Sequence, residues 1–391
     1  MKKILYLTFY FEPDLCAGSF RNSPLAKELA LQAKGKAEID VISTFPNRYG
    51  SFKTGAKQHE VHDNLTIHRI QLPPHSSGMK DQIISFKQYY IKALEITKDR
   101  KYDLVIASSS RLFTAYLGYK IASKNKIPLY LDIRDIFYDT MEDVLKNPII
   151  KTFSLPLIKQ IEKRTFSYAS HINLISEGFK PYFKQYDKAN FSYFTNGIDQ
   201  IFIDKNASSD INRKTSLPKK IVYAGNLGEG QGLDKIVPEA AKMLGSDYEF
   251  IIIGDGGIKK KLIEKVKSFN LENVIFLNPM KREELIKMYE ECDFTFVHLN
   301  DYEAFKKVLP SKIFELACFS QPMIAGVGGY ASMFISENIE NKILFKPCDV
   351  EDFVSQLKNF IYAQNKREKF IEKFRRSTIN NEMASSMLRY L

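Results

Sequence analysis

Apolar runs of strand length recur along this chain, and most are followed by a stretch with helical spacing. That alternation leaves few arrangements open. A strand buried on both faces needs helices to cover it, which is the pattern of a parallel sheet. Residues 3–9, 38–43, 103–107, 128–133, 172–176 and 191–194 read as a first set of strands, with a helix over 20–32. Around 204–218 the chain turns polar and aperiodic, with Asn206, Ala207, Ser208, Ser209, Asp210 and Asn212 clustered there. A second set follows at 221–225, 250–254, 274–277, 294–297 and 322–325, with helices over 258–269, 350–363 and 365–391. The spacing predicts two α/β halves joined by a connection, and 391 residues give each half its own core. Ligands of such sheets sit beyond the carboxyl ends of the strands, so the loops there carry the functional reading.

Composition narrows the class. Hydrophobic residues at 44% and charged residues at 26% describe a globular chain. The apolar start ends at Glu12-Pro13-Asp14 with no small-residue cleavage site behind it, so it reads as a buried strand rather than a signal peptide. No segment is long and apolar enough to span a bilayer. Cys16, Cys292, Cys318 and Cys348 are scattered without metal-ligand spacing, which fits a reducing cytoplasm, and the histidines form no cluster, so no metal is expected. The net charge of +11 is spread among acidic residues, and no groove-reading motif accompanies it, which argues against nucleic acid. An anionic membrane face or a sugar-nucleotide substrate would each welcome it. A lysine-rich source proteome would account for it with no partner at all.

Two stretches of the first half mix apolar and basic residues at helical spacing. Residues 80–101 carry Ile83, Ile84, Phe86, Tyr90, Ile91 and Leu94 among Lys80, Lys87, Lys92, Lys98, Arg100 and Lys101. Residues 144–164 carry Ile149, Ile150, Phe153, Leu155, Leu157 and Ile158 among Lys146, Lys151, Lys159, Lys163 and Arg164. Such faces suit a helix lying at a membrane surface. They equally suit core-facing helices with wet outer sides.

The chemistry-bearing loops lie in the second half. Leu309-Pro310-Ser311-Lys312-Ile313-Phe314-Glu315 reads as a loop entering a helix, with Pro310 at its first position. The amides of Ser311 and Lys312 then face an anion, and Lys312 adds a mobile positive charge. Glu315, one turn behind, can accept hydrogen bonds from a sugar diol. An amphipathic helix with a solvated Lys–Glu pair has the same spacing. Gly225-Asn226-Leu227-Gly228-Glu229-Gly230-Gln231-Gly232, Gly254-Asp255-Gly256-Gly257, Asn278-Pro279-Met280-Lys281 and the loop 297–309 each follow a strand. Taken singly they read as tight βα turns; on successive strand ends of one sheet they converge on one crevice.

The order Tyr223-Ala224-Gly225-Asn226-Leu227, Ile252-Ile253-Gly254-Asp255-Gly256, Val274-Ile275-Phe276-Leu277 and Pro310-Ser311-Lys312-Ile313-Phe314-Glu315 resembles the retaining GT-B glycosyltransferases of family 4. Within them it is similar to the branch that builds bacterial surface polysaccharides, including N-acetyl-fucosamine transferases of O-antigen synthesis. Tyr10-Phe11-Glu12-Pro13 with Gly18, Asp132-Ile133-Arg134-Asp135 and Thr195-Asn196-Gly197-Ile198-Asp199 match in the same order. The resemblance implies two Rossmann-like doubly wound domains facing a central cleft. An acceptor domain would span 1–203, with helix 370–391 packing back on it, and a nucleotide-sugar domain would span 204–369. It implies that Glu315 binds ribose and that Ser311 and Lys312 meet the donor diphosphate. Asn226, Gly254, Asp255, Gly256 and Met280 would surround the nucleotide, and Gly18 would close on the phosphates. Lys312, Arg134 and Asp135 would take the catalytic roles.

Three departures from the family pattern stand out. Lys307 occupies a usually acidic position. Asn226 and Gln231 stand where many members have Arg and Lys, leaving charge stabilisation to Lys312, with Lys306, Lys307 or Arg21 as further sources. Arg134 stands where some members have a histidine. The implied activity is metal-independent transfer of a sugar from a UDP-sugar to an undecaprenyl-diphosphate-linked saccharide at the inner face of the cell membrane, in capsule or O-antigen synthesis. Two other readings remain open from sequence: a UDP-sugar 2-epimerase of the same fold, and a basic membrane- or nucleic-acid-binding module.

Overall fold

The computed structural model describes residues 1–47, 55–73, 79–109, 111–145, 147–206 and 216–391. Lys146, Ala207, Ser208, Ser209, Asp210 and Asn212, and the side chains of Lys80 and Asn206, lie outside what it describes. The chain forms two compact units, Met1–Asn196 with Thr378–Leu391, and Gly197–Ser377.

In the first unit the strands are β1 (Lys2–Leu7), β2 (Ala37–Thr44), β3 (His59–His62), β4 (Leu65–Ile70), β5 (Leu104–Ser109), β6 (Leu129–Ile133), β7 (His171–Leu174) and β8 (Asn190–Ser192). Their order is β3-β4-β2-β1-β5-β6-β7-β8, parallel throughout except for the β3–β4 hairpin. The helices are α1 (Ala17–Gln32), α2 (Met79–Thr97), α3 (Leu112–Asn125), α4 (Phe137–Val144), α5 (Pro148–Tyr168) and α6 (Lys180–Phe183). Ile4, Tyr6, Ile39, Val41, Leu104 and Ile106 pack against Leu25 and Leu29 of α1, and against Met383, Ala384 and Met387 near the chain's end. Those last three belong to α15 (Arg376–Leu388).

The second unit holds β9 (Lys219–Asn226), β10 (Tyr248–Asp255), β11 (Val274–Leu277), β12 (Phe294–His298), β13 (Met323–Gly326) and β14 (Lys342–Phe345), in the all-parallel order β11-β10-β9-β12-β13-β14. Its helices are α7 (Gln200–Asn206), α8 (Leu233–Leu244), α9 (Lys259–Ser268), α10 (Arg282–Glu290), α11 (Lys312–Leu316), α12 (Gly329–Asn338), α13 (Val350–Lys358) and α14 (Glu368–Lys373). Its core is aromatic: Phe296 stacks on Phe353, and Phe345 on Phe353.

The structure differs from the sequence reading at three points. Residues 144–164 are not one helix. Asn147 accepts hydrogen bonds from the amides of Ile149 and Ile150 at 2.9 and 3.2 Å, and Pro148 opens α5, so a fresh helix starts there. The unit boundary lies after Asn196 rather than at 203/204, and residues 370–377 stay with the second unit. Ile198 donates to Phe374 O (2.8 Å) and accepts from Arg376 N (3.0 Å), while Asp199 pairs with both Arg376 and Arg282, which sews 197–199 to 374–376. Third, Arg21 is not a source of charge for a substrate. It is 2% exposed and bidentate to Asp132, with Nε and one amino nitrogen both at 2.8 Å, and it donates to the Phe194 and Thr195 carbonyls. Ser108 and Asn173 complete the Asp132 shell, so this buried pair meets the condition on which a buried ion pair survives.

Glu162 of α5 is another buried carboxyl, 1% exposed, accepting from Tyr182 Oη and from the Tyr138 amide of α4 (3.2 Å). Burial pushes it up to about 7, the two hydrogen bonds only partly offsetting the rise. The folded chain therefore holds this proton more tightly than the unfolded chain. Stability from this group is complete below the unfolded value of 4.5 and is lost as pH rises toward 7. Glu162→Gln should flatten the fall in urea-unfolding stability between pH 5 and 7.5, and the wild type should lose roughly 1–3 kcal/mol over that range. Equal slopes in the two proteins would contradict this.

Candidate functional site

The loops at the carboxyl ends of the second sheet are tied to one another by backbone contacts. Leu227 N donates to Asp255 O, and Ile258 N to Leu227 O, both at 2.9 Å. Gly254 has φ of 148°, and a Cβ there would stand 1.9 Å from Gly225 O. A Cβ on Gly256 would lie 2.5 Å from Leu227 O. Side chains are excluded at both positions by the approach of the neighbouring strand end. The Asp255 carboxylate accepts from Gly256 N at 2.8 Å, turning the loop into α9.

Lys259, the first residue of α9, was not singled out in the sequence because no motif flags it. Its ammonium donates to Gly254 O at 2.9 Å and Asn278 Oδ1 at 3.3 Å. It thereby links the loop after β10 to the loop after β11, where Met280 sits half-buried. On the other side, Asn300 N donates to Gly230 O (2.9 Å) and Asn300 Nδ2 to Glu229 O (3.0 Å), fastening the loop after β12 to the glycine loop after β9.

Asn226 and Gln231 bind each other: Asn226 Nδ2 donates to Gln231 Oε1 at 2.8 Å, and Gly228 N to the same oxygen at 3.2 Å. The pair closes the loop internally where a basic pair would have extended outward. His298 pins it from below. Cys348 N donates to His298 Nε2 (3.0 Å), so the proton resides on Nδ1, which donates to Gln231 O at 2.6 Å. Burial pushes this imidazole down to about 4, so it is neutral and structural.

Around Glu315 the structure corrects the sequence reading. The helix is five residues long and starts at Lys312, with Pro310 outside it and Ser311 half-buried as its cap. So short a helix supplies little macrodipole. Lys312 is not a mobile charge: its ammonium donates to Glu315 Oε2 at 2.7 Å, and the two side chains are only 25% and 11% exposed. Burial works against the Lys312 charge, but Glu315 and then Tyr289 outweigh it and hold the group protonated above the ordinary lysine range. Lys306, one of the further cations expected to help, is paired with Glu303.

In the first unit, Gly18 is the second residue of α1, and its place for a Cβ lies 3.1 Å from both the Tyr10 Cβ and one terminal nitrogen of Arg134. Arg134 extends β6, its amide donating to Ser109 O at 3.0 Å, and its buried Nε has no hydrogen-bond partner among the described residues. Desolvation and then the Arg21 charge lower its pKa. Asp135 beside it is exposed. The structure thus gathers Gly18, Arg134 and Asp135 in one unit and Asn226, Gly254, Asp255, Gly256, Met280, Ser311, Lys312 and Glu315 in the other. Among the described residues no group of three or more His, Cys, Asp or Glu side chains is arranged to hold a metal ion.

Residues 204–377 match the family model for glycosyl transferases group 1. Over 319 residues, 76% of this chain and 78% of the relative, the chain is 23% identical to a 2-deoxystreptamine N-acetyl-D-glucosaminyltransferase of Niallia circulans. Its fold is similar to that of sucrose-phosphate synthase from Thermosynechococcus elongatus (TM-score 0.77, 13% identity, covering 100% of this chain and 99% of that one). It is also similar to Anabaena Alr3699/HepE in complex with UDP (TM-score 0.65, 18% identity, both chains covered completely). The family model thus matches a segment that holds nearly all of the second unit, and the two parallel-sheet, Rossmann-like units match the fold of GT-B glycosyltransferase structures.

Removing one member of the Lys312–Glu315 pair strands the other. Lys312→Met should lower the unfolding free energy by about 1–3 kcal/mol in urea titrations. Lys312→Met combined with Glu315→Gln should recover most of that loss. A double variant as unstable as the single one would mean the pair is not what holds this corner.

Proposed function

We propose that the chain is a retaining glycosyltransferase that moves a sugar, an N-acetylated amino sugar in this reading, from a UDP-sugar to a lipid-linked saccharide. The observations that carry it are the interlocked glycine loops and the Glu315 carboxylate held by Lys312, both inside the segment that matches glycosyl transferases group 1. In this reading Glu315 accepts the ribose hydroxyls. The amides of the loops after β9 and β10 take the diphosphate, and the loops bridged by Lys259 bracket the base. The match favours sugar transfer over the 2-epimerase and over a non-enzymatic basic module.

Bond breaking leaves charge on the diphosphate, and stabilising that charge is the main task of the protein. The reading assigns it to the loop amides of the second unit, with no metal step, and within the first unit it gives Arg134 a catalytic role and Asp135 the orientation of the acceptor hydroxyl. The N-acetyl-D-glucosaminyltransferase relative supports the donor class, and the HepE complex supports UDP as the nucleotide. The family 4 resemblance supports retention of configuration and a role in capsule or O-antigen synthesis.

For the acceptor, an undecaprenyl-diphosphate-linked saccharide, support comes from α5. Ile149, Ile150, Phe153 and Leu157 are all exposed, Phe153 at 78%, beside Lys159, Lys163 and Arg164. An apolar stripe with basic flanks suits the anionic inner face of a membrane. No described helix is long and apolar enough to cross one.

Titration calorimetry with UDP tests the nucleotide seat. Glu315→Gln, assayed well below its own thermal midpoint because it strands Lys312, should weaken binding about 10- to 100-fold, the scale of a lost hydrogen bond to a charged acceptor. Transfer by the wild type should persist in excess chelator. Unaltered UDP affinity in the variant would place the ribose elsewhere.

A further inference from the structure

The first unit contains a cation that the reading above does not use. Arg111 lies two residues beyond the end of β5 and immediately before α3. Its guanidinium donates to Tyr10 Oη at 3.2 Å and covers the Phe9 ring at 4.6 Å and the Tyr10 ring at 5.9 Å. Among the described residues, no carboxylate forms an ion pair with it. Other arginines of this unit are neutralised: Arg21 by Asp132, Arg69 by Glu60 and Arg100 by Asp40. A half-buried guanidinium resting on aromatic rings keeps most of its donors for a ligand. Tyr10, which it touches, also adjoins Arg134 across Gly18.

From that cation an apolar path leads away. Phe9 stacks on Phe86 of α2 at 6.0 Å, Phe86 meets Phe113 of α3 at 5.7 Å, and Phe113 meets Phe137 of α4 at 5.7 Å. Phe113 and Phe137 are only half-buried. The path opens to solvent at α2 and α4. Ile83 of α2, nearly a turn before Phe86, is 63% exposed, and Val144, two turns after Phe137 on the same face of α4, is 43% exposed. A core would not leave such residues wet beside a row of rings that ends at an uncompensated charge.

We propose that this path is the acceptor subsite for a prenyl diphosphate, with Arg111 holding the diphosphate and the half-buried Phe113 and Phe137, backed by the buried Phe9 and Phe86, lying along the hydrocarbon. The assignment rests on the lipid-linked acceptor proposed above and names where its head and chain are read. Charge complementarity selects a phosphorylated amphiphile over a neutral lipid. The apolar row selects it over a free phosphate.

The chain has no tryptophan, so Phe113→Trp installs a single fluorescent reporter on the path. Farnesyl diphosphate, farnesol and inorganic pyrophosphate are titrated separately, and calorimetry on the protein without the reporter repeats the key comparison. Farnesyl diphosphate should bind saturably and at least tenfold more tightly than either farnesol or pyrophosphate. Arg111→Gln should raise its Kd at least tenfold while changing that of farnesol less than twofold. Equal farnesyl diphosphate affinity with and without Arg111 would overturn the assignment. Pyrophosphate binding as tightly as farnesyl diphosphate would overturn the hydrocarbon half and leave a free-anion site. UDP affinity, measured on the same Arg111→Gln sample, should be unchanged. Failure of UDP to bind the wild type would sink the donor reading instead, so the two failures are told apart.

Discussion

The second unit of this protein depends on one close approach of backbone to backbone. Where β10 leaves its sheet beside β9, a Cβ at residue 254 would stand 1.9 Å from Gly225 O, well inside atomic contact. Glycine there lets two strand ends converge, and Gly256 lets the loop after β10 lie on Leu227. Once those loops touch, their amides face one region, Lys259 reaches both Gly254 and Asn278, and Asn300 closes the far side. A side chain at residue 254 would push the loops apart and dissolve this arrangement.

Charge is handled differently in the two units, and the difference follows from burial. Arg21 and Asp132 are sealed together, with every strong donor and acceptor answered, so they stabilise structure and offer nothing to a ligand. Lys312 and Glu315 are paired at a partly accessible corner, 25% and 11% exposed. Arg111 and Arg134 sit at strand ends with no ion pair among the described residues, Arg111 being supported by aromatic rings. His298 shows the opposite solution. Desolvation removes its charge altogether, and the neutral ring becomes a two-sided clamp between Gln231 and Cys348.

Much of the architecture was legible before any coordinates. Runs such as Phe250–Gly254 and Val274–Leu277 are apolar enough to be buried on both faces, and their alternation with helices admits little besides parallel sheets. The β3–β4 hairpin was not legible, because His59, Glu60 and His62 give an edge strand no apolar pattern. Neither was β14, whose Lys342–Phe345 is too short to separate from a loop. The boundary at Asn196 was missed because it is set by Asp199, Arg282 and Arg376, three residues far apart in the chain.

By itself the sequence determined two α/β halves, the glycine loops at strand ends, and the position of Glu315 behind Lys312, because local spacing and steric freedom decide those things. Only the tertiary structure decided which charges are spent. Arg21 faces Asp132 across 111 residues, Lys312 is held by Glu315 under Tyr289, and Arg111 finds Tyr10 from 101 residues away. Whether a cation is neutralised or left for a substrate depends on which carboxylate packing brings within reach, and no local pattern encodes that.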